Sequence, residues 1–329
     1  MARSLEDIID QNDRTSTRHP GHHWIFDWFE PFSGMVPAGH SVDFIGSIRR
    51  DHDPDGRPAA QARAVTADLP AVAEDYFEWI DLLEAVFDAS ETFRYAEVGA
   101  SFGCWSPRAL KAARSRGIEK AMALLVEADP KHAQMIVDHM AANGILASDY
   151  QVFELAVGAG EGLALFCVVK SQDDPETSHL SWHGQFLVNL QGKGALRLMG
   201  RTYAGHPVFE IADGWGAIKV NVATLARVLE GIDFLDLVDF DIQGAEGQVI
   251  AQSIETLNQK VRRLHIGTHS RDIDTFLKEV LTRHRWVCLR DYGCGQTEQT
   301  PFGRIEFQDG VQSWINPRLC PPSSSSAGR

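Results

Sequence analysis

The chain has 329 residues, 44% of them hydrophobic and 23% charged, which is the composition of a folded globular protein. Its 45 acidic residues outnumber 31 basic ones, and the formal net charge of -14 disfavours a nucleic-acid partner, because an acidic surface repels phosphate backbones. No apolar run is long enough to cross a bilayer, residues 1–14 lack the apolar core of a signal peptide, and Cys104, Cys167, Cys288, Cys294 and Cys320 follow no zinc or disulfide spacing. A cytoplasmic protein with reduced thiols and no membrane contact is expected.

Residues 1–90 mix polar, Gly and Pro positions with aromatic clusters such as 22–29 and read as an N-terminal extension or cap. Within them, 41–46 alternates like a strand, 51–57 reads as an exposed loop, and His19, His22 and His23 read as aromatic–polar packing rather than a metal site. Val72, Phe77, Ile80, Leu83, Val86 and Phe87 recur at helical spacing, which predicts a helix within 70–87. From Phe93 onward strand and helix signals alternate, implying βαβ units and a mainly parallel, doubly wound sheet. Strands are predicted at 93–98, 121–126, 152–157, 235–242 and 261–266. Ser106 as cap, Pro107 at the first position and Gly117 as stop delimit one helix; Asp129-Pro130 and Gly144 delimit the next.

The connection 158–234 is far longer than a crossover needs. It carries a strand-like run at 163–169, a polar loop at 171–179, an aromatic and histidine-bearing stretch at 181–186 and a predicted helix at 222–229. With the N-terminal zone it is the expected cover of a substrate cleft. The main domain is therefore read as 91–320 with this insertion, followed by a disordered, serine-rich tail at 321–329.

The informative motif follows the first strand: Glu97-Val98-Gly99-Ala100-Ser101-Phe102-Gly103, an ExGxxxG turn into a helix. Glycines there let the backbone turn sharply beside a ligand. Ser101 stands where a dinucleotide fingerprint needs its second glycine, which favours a ligand without a pyrophosphate. One unit later the second strand ends in Glu127-Ala128, and a carboxylate at that place reaches ribose hydroxyls in such folds. Asp241 ends a later apolar strand at the ligand-binding edge, with helix capping as its plainer reading. Asp239 points to the opposite side from Phe240 and should face a polar insertion or pair with a base.

The ExGxxxG turn, the Val126-Glu127 strand end, Leu155-Ala156-Val157-Gly158 and Asp241-Ile242-Gln243-Gly244-Ala245-Glu246 together resemble the FkbM family of S-adenosylmethionine-dependent methyltransferases. The resemblance covers roughly 93–290 outside the insertion. That family usually reads Lys-x-Asp-x-Glu-Gly-x-Glu in the last motif, and this chain departs from it at Asp239 and Gln243. The resemblance implies a class I, Rossmann-like, mostly parallel seven-stranded sheet with one antiparallel edge strand. It implies S-adenosylmethionine as cofactor and methylation of a hydroxyl on a small molecule such as a sugar or secondary metabolite. Glu97, Gly99 and Gly103 would hold its methionine part, Glu127 the ribose, and Ala156 and Val157 the adenine surroundings, with Ala100 and Ala128 in the adjoining turns.

A hydroxyl acceptor must lose a proton, and the candidates for that chemistry are Asp241, His269 just after the 261–266 strand, and His183 in the insertion. Asp241 and His269 could instead share a divalent metal, although no third ligand is evident. A nicotinamide-dependent oxidoreductase and a non-catalytic cofactor-binding protein remain as alternatives, and homo-oligomerisation stays open.

Overall fold

The apolar runs predicted as strands lie side by side in one sheet. The computed structural model describes residues 2–51, 61–170, 185–188, 196–211 and 214–322. Helix α1 (Tyr76–Asp88) precedes β1 (Thr92–Val98), α2 (Trp105–Ser115), β2 (Lys120–Glu127), α3 (Pro130–Ala142) and β3 (Tyr150–Glu154). After the insertion come β4 (Leu235–Phe240), α4 (Glu246–Lys260), β5 (Val261–Thr268), α5 (Arg271–Arg283), β6 (Val287–Tyr292) and β7 (Gly310–Ile315). The seven strands are ordered β6-β7-β5-β4-β1-β2-β3. All neighbours from β5 to β3 are parallel, while β7 is antiparallel to both β5 and β6. The antiparallel strand is thus second from the edge, not the edge itself, because the chain doubles back after β6 and inserts β7 beside β5.

Alternation along each strand divides the core. Phe93, Tyr95, Ala123, Leu125 and Leu237 pack with α1, α2 and α3; Ala96, Val98, Val126, Val238 and Phe240 pack with α4 and α5. Both faces are covered, as a parallel sheet requires. Residues 1–90 are not a separate cap: Trp24, Ile25, Phe26 and Phe44 join the first of these cores. The His22 and His23 rings pack against Phe26, Tyr76, Trp24 and Phe302, as the aromatic–polar reading has it.

Several predicted elements are reshaped by hydrogen bonding that sequence patterns do not display. The 41–46 strand is a hairpin of His40–Val42 with Ile48–Arg50, turned by Asp43, whose carboxylate accepts from the Ile45 and Ser47 amides. The 152–157 strand is two: β3 stops at Glu154, and Ala156–Val157 leaves the main sheet to pair with Val222–Ala223. Helix α2 starts at Trp105, one residue before the predicted cap Ser106. Among the described residues, five strands of the insertion join Ala156–Val157 in a six-stranded, mainly antiparallel sheet. In it Trp215–Ala223 is a strand, so only Leu225–Val228 of the helix predicted at 222–229 is helical. The tail beyond 322 and most of the 171–186 stretch lie outside the described residues.

The face of α1 toward the sheet carries, besides its apolar residues, a row of carboxylates: Glu78, Asp81, Glu84 and Asp88. Asp81, Glu84 and Asp88 are almost wholly buried and are met by basic groups from β5, β6 and the N-terminus. Arg263 donates to Asp88 at 2.8 Å and to Glu84 at 3.3 Å, and Arg3 reaches the same two at 2.8 and 3.0 Å. Arg290 donates to Asp81 at 2.8 Å, and His265 Nδ1 lies 2.7 Å from the other Asp81 oxygen. Burial alone would raise the Glu84 pKa, but Arg3, Arg263 and Arg290 pull it well below the usual carboxylate range. Removing one partner of such a set strands a buried charge. Arg263→Met is therefore expected to cost roughly 3–5 kcal/mol in urea unfolding, and a loss below about 1 kcal/mol would show that the row carries no such weight.

Candidate active site

The turn after β1 is set by how closely the chain approaches its neighbours. Gly99 has φ +90°, and a Cβ there would lie 1.7 Å from the Asp241 carbonyl oxygen. The glycine is thus required by the approach of β4, not by room for a ligand. Gly103, at φ +76°, would push a Cβ against Leu125 and Ile136; it faces the core and does not line the cavity, contrary to its expected ligand role. Ser101 also adopts a left-handed conformation, with φ 49°, and its buried Oγ has no hydrogen-bond partner among the described residues.

Glu97 closes the start of α2. Its oxygens accept from the Trp105 amide at 3.1 Å, the Ser106 amide at 2.9 Å and Ser106 Oγ at 2.5 Å. Burial pushes Glu97 up to about 8 despite these donors. Glu127, at the end of β2, accepts from the amides of Ser101 and Asp129, both at 2.7 Å, and burial pushes it up to about 7.

These groups border a cavity of about 400 Å³ at the carboxyl ends of β1, β2, β4 and β5, within the range of small-ligand sites. Of the residues expected to bind cofactor, Glu97, Gly99, Ala100, Glu127, Ala128, Ala156 and Val157 all line it, as do Asp241 and His269. His183 lies outside the described residues. The described part of the insertion meets the cavity beside Ala128: Gln185 and Tyr203 both donate to one Asp129 oxygen, at 2.8 and 2.7 Å. The wall near Glu97 comes instead from the N-terminal zone, through Arg49, Glu74 and Glu78, and from the turn before β7, through Gln308 and Asp309. The Glu74 carboxylate joins these segments by accepting from the Gln308 and Asp309 amides.

Asp239 neither faces the insertion nor forms a simple ion pair. Tyr95 donates to it at 3.0 Å, Glu78 is its acidic partner, and His265 lies close enough to favour its charge. Burial, then the Asp239 charge, pushes the Glu78 pKa well above its usual value.

The catalytic candidates from β4 and β5 do come together. Asp241 Oδ1 lies 3.3 Å from His269 Nε2, and Asp309 Oδ2 lies 3.9 Å from the same nitrogen. His269 Nδ1 is 2.8 Å from Glu246 Oε1, and Glu246 also accepts from the Ile242 and Gly244 amides, both at 3.1 Å. Burial works against charge on His269, but Asp241 and Glu246 outweigh it and hold its pKa up at about 10. The expected neutral imidazole base is therefore corrected: at neutral pH the ring is an imidazolium between carboxylates. Ligand atoms of Asp241, Glu246 and His269 fall within 4.8 Å of one another, so a third metal-ligand candidate exists that sequence spacing did not show. Glu246 is nevertheless committed to two amides and to the ring, while His269 Nε2, 3.3 Å from Asp241, makes no hydrogen bond among the described residues.

The family comparison decides the broad assignment. Residues 97–293 match the model of the Methyltransferase FkbM domain. The chain belongs to the FkbM methyltransferase family. The chain is 27% identical over 251 residues to a Jannaschia sp. (strain CCS1) protein named "Putative methyltransferase", spanning 75% of this chain and 81% of that one. A solved FkbM methyltransferase from Methylobacillus flagellatus aligns over 69% of this chain and 44% of its own, with 11% identity and a TM-score of 0.41. A precorrin-6y C5,15-methyltransferase from Geobacter metallireducens aligns over 72% and 85%, with 10% identity and a TM-score of 0.39. With the strand order β6-β7-β5-β4-β1-β2-β3 and its one antiparallel strand, the family match makes the fold the class I, Rossmann-like methyltransferase fold, and the nicotinamide oxidoreductase alternative falls away. Among the described residues no helix is long and apolar enough to cross a membrane, and Cys104, Cys288, Cys294 and Cys320 form no disulfide.

The His269 environment gives a signed pH dependence. Its folded pKa lies above the ordinary value, so its contribution to stability is complete below about 6.5 and is lost as pH rises through about 10. An imidazole resonance titrating near 10 by NMR, moved downward in Asp241→Asn, is the expected result. Titration near 6.5 in both proteins contradicts the carboxylate cage.

Proposed function

We propose that this methyltransferase uses S-adenosylmethionine to methylate a hydroxyl group of a small molecule. The observation that carries the reading is Glu127, buried in the cavity wall beside the unpartnered Ser101 Oγ. Each Glu127 oxygen accepts one amide and keeps a lone pair for a further donor, which suits the two hydroxyls of a ribose. Ala128, Ala156 and Val157 supply apolar surface next to it for a purine, while Ala100 and Ser101 line the path toward Glu97. When bound, S-adenosylmethionine supplies a methyl group open to in-line attack.

The chain's own contribution is orientation and proton removal. The Asp241 side chain is 59% exposed toward the cavity and lies against an imidazolium that cannot accept a proton. Asp241 is therefore the group that would take the proton from an acceptor hydroxyl as its oxygen receives the methyl group that the bound cofactor would supply. His269, fixed through Nδ1 by Glu246, lies 3.3 Å from Asp241, whose Oδ1 accepts from Gln243 Nε2 at 3.0 Å. In this reading the proton acceptor is Asp241 and not His269, and no step is routed through a metal.

Two measurements test this reading. Glu127→Gln should weaken S-adenosylhomocysteine binding in calorimetry by about 1.5–3 kcal/mol, the worth of a hydrogen bond to a charged group. Parent affinity should also fall as pH drops below about 7, where Glu127 takes up a proton. Unchanged affinity in Glu127→Gln removes the ribose assignment. Asp241→Asn should lower turnover about 10²–10⁴-fold with cofactor affinity kept, and the parent should retain activity in chelator. Loss of activity in chelator with recovery on added magnesium would restore the metal version.

A further inference from the structure

We propose that Arg49 and Arg108 form a carboxylate-binding corner in the cavity wall next to Glu97. Both line the cavity, one from the Ile48–Arg50 strand and the other from the first turn of α2. Arg108 is held rigidly: its Nε donates to Asp43 at 2.8 Å, and its guanidinium lies 4.2 Å over Trp105 and 4.8 Å over Trp79. That leaves its two Nη groups without a protein acceptor among the described residues, on a side chain that is 16% exposed. Arg49 is exposed and makes no ion pair among the described residues. The fields of both guanidinium groups reach Cys104 and His139, which places them at one corner, and the carboxylates that bear on Arg108 are Asp43 and Glu78.

The rest of the wall is acidic, with Glu74, Glu78, Asp239, Asp241 and Asp309. In that surrounding, two guanidinium groups with free donors mark a place for an anion, and a planar fork suits a carboxylate. Stacking of Arg108 on two indoles removes much of the entropy cost of gripping such a ligand. The proposal rests on reading the cavity as a methyl-transfer site, and within that reading the carboxylate has two sources: the amino-acid end of the cofactor or an acid group on the acceptor.

The experiment uses the full chain and Arg49→Gln, an exposed position whose change should leave the fold intact, checked by thermal melting. Calorimetry compares S-adenosylhomocysteine with 5′-methylthioadenosine, which lacks the amino-acid part, and then titrates benzoate into protein saturated with S-adenosylhomocysteine. A loss of about ten- to a hundred-fold for S-adenosylhomocysteine, with methylthioadenosine unchanged, assigns the corner to the cofactor. Unchanged S-adenosylhomocysteine with loss of benzoate binding assigns it to an acidic acceptor. If neither ligand responds to Arg49→Gln, the corner is overturned. If the parent binds benzoate through Arg49 yet binds no S-adenosylhomocysteine, the corner stands and the cofactor reading fails.

Discussion

The structure depends on a line of charges buried where helix α1 meets the sheet. Asp81, Glu84 and Asp88 cannot leave water unless cations follow them, and Arg263 and Arg290 from the sheet, with Arg3 from the N-terminus, are those cations, while His265 adds a ring nitrogen to Asp81. Because each carboxylate is shared, the helix has one register in which every charge is met. That register fixes the N-terminal zone to the face of β1, β4 and β5 and carries Glu78, the next residue in the row, to the cavity edge. The polar row contributes specificity of placement, while the attractive energy comes from the aromatic core of Phe26, Phe44, Tyr76 and Phe77 beside it.

The cavity is the consequence of two separate placements. Turns after β1, β2, β4 and β5 open on the same edge of the parallel sheet, which brings Glu97, Glu127, Asp241 and His269 together from positions far apart in sequence. The N-terminal zone and the turn before β7 then wall one end, and the insertion sheet, tied to Asp129 by Gln185 and Tyr203, walls the other. The family match covers the first placement, residues 97–293, and leaves the N-terminal wall outside it.

Much of the sheet was legible because buried parallel strands are continuous apolar runs, and β1, β2, β4 and β5 stood out on that basis. Gly99 was legible as a turn but for an incomplete reason: no local pattern reveals that the Asp241 carbonyl sits against it. Gly103 was misread because a glycine near a ligand and a glycine against a core look alike in sequence. The α1 carboxylates were invisible for a related reason, since Arg263 and Arg290 lie more than 170 residues away. The pairing of Asp241 with His269 followed from strand-end positions, whereas the protonated state of His269 did not. It depends on Asp241 and on Glu246, whose approach to Nδ1 only the folded chain shows.

Hydrogen–deuterium exchange with and without S-adenosylhomocysteine tests the central claim, that this cavity holds the methyl donor. The account predicts slowed exchange in three separate segments, around 97–105, 126–129 and 155–158, with little change on the far edge strand β6. Binding that protects other segments while leaving these three unchanged would contradict it.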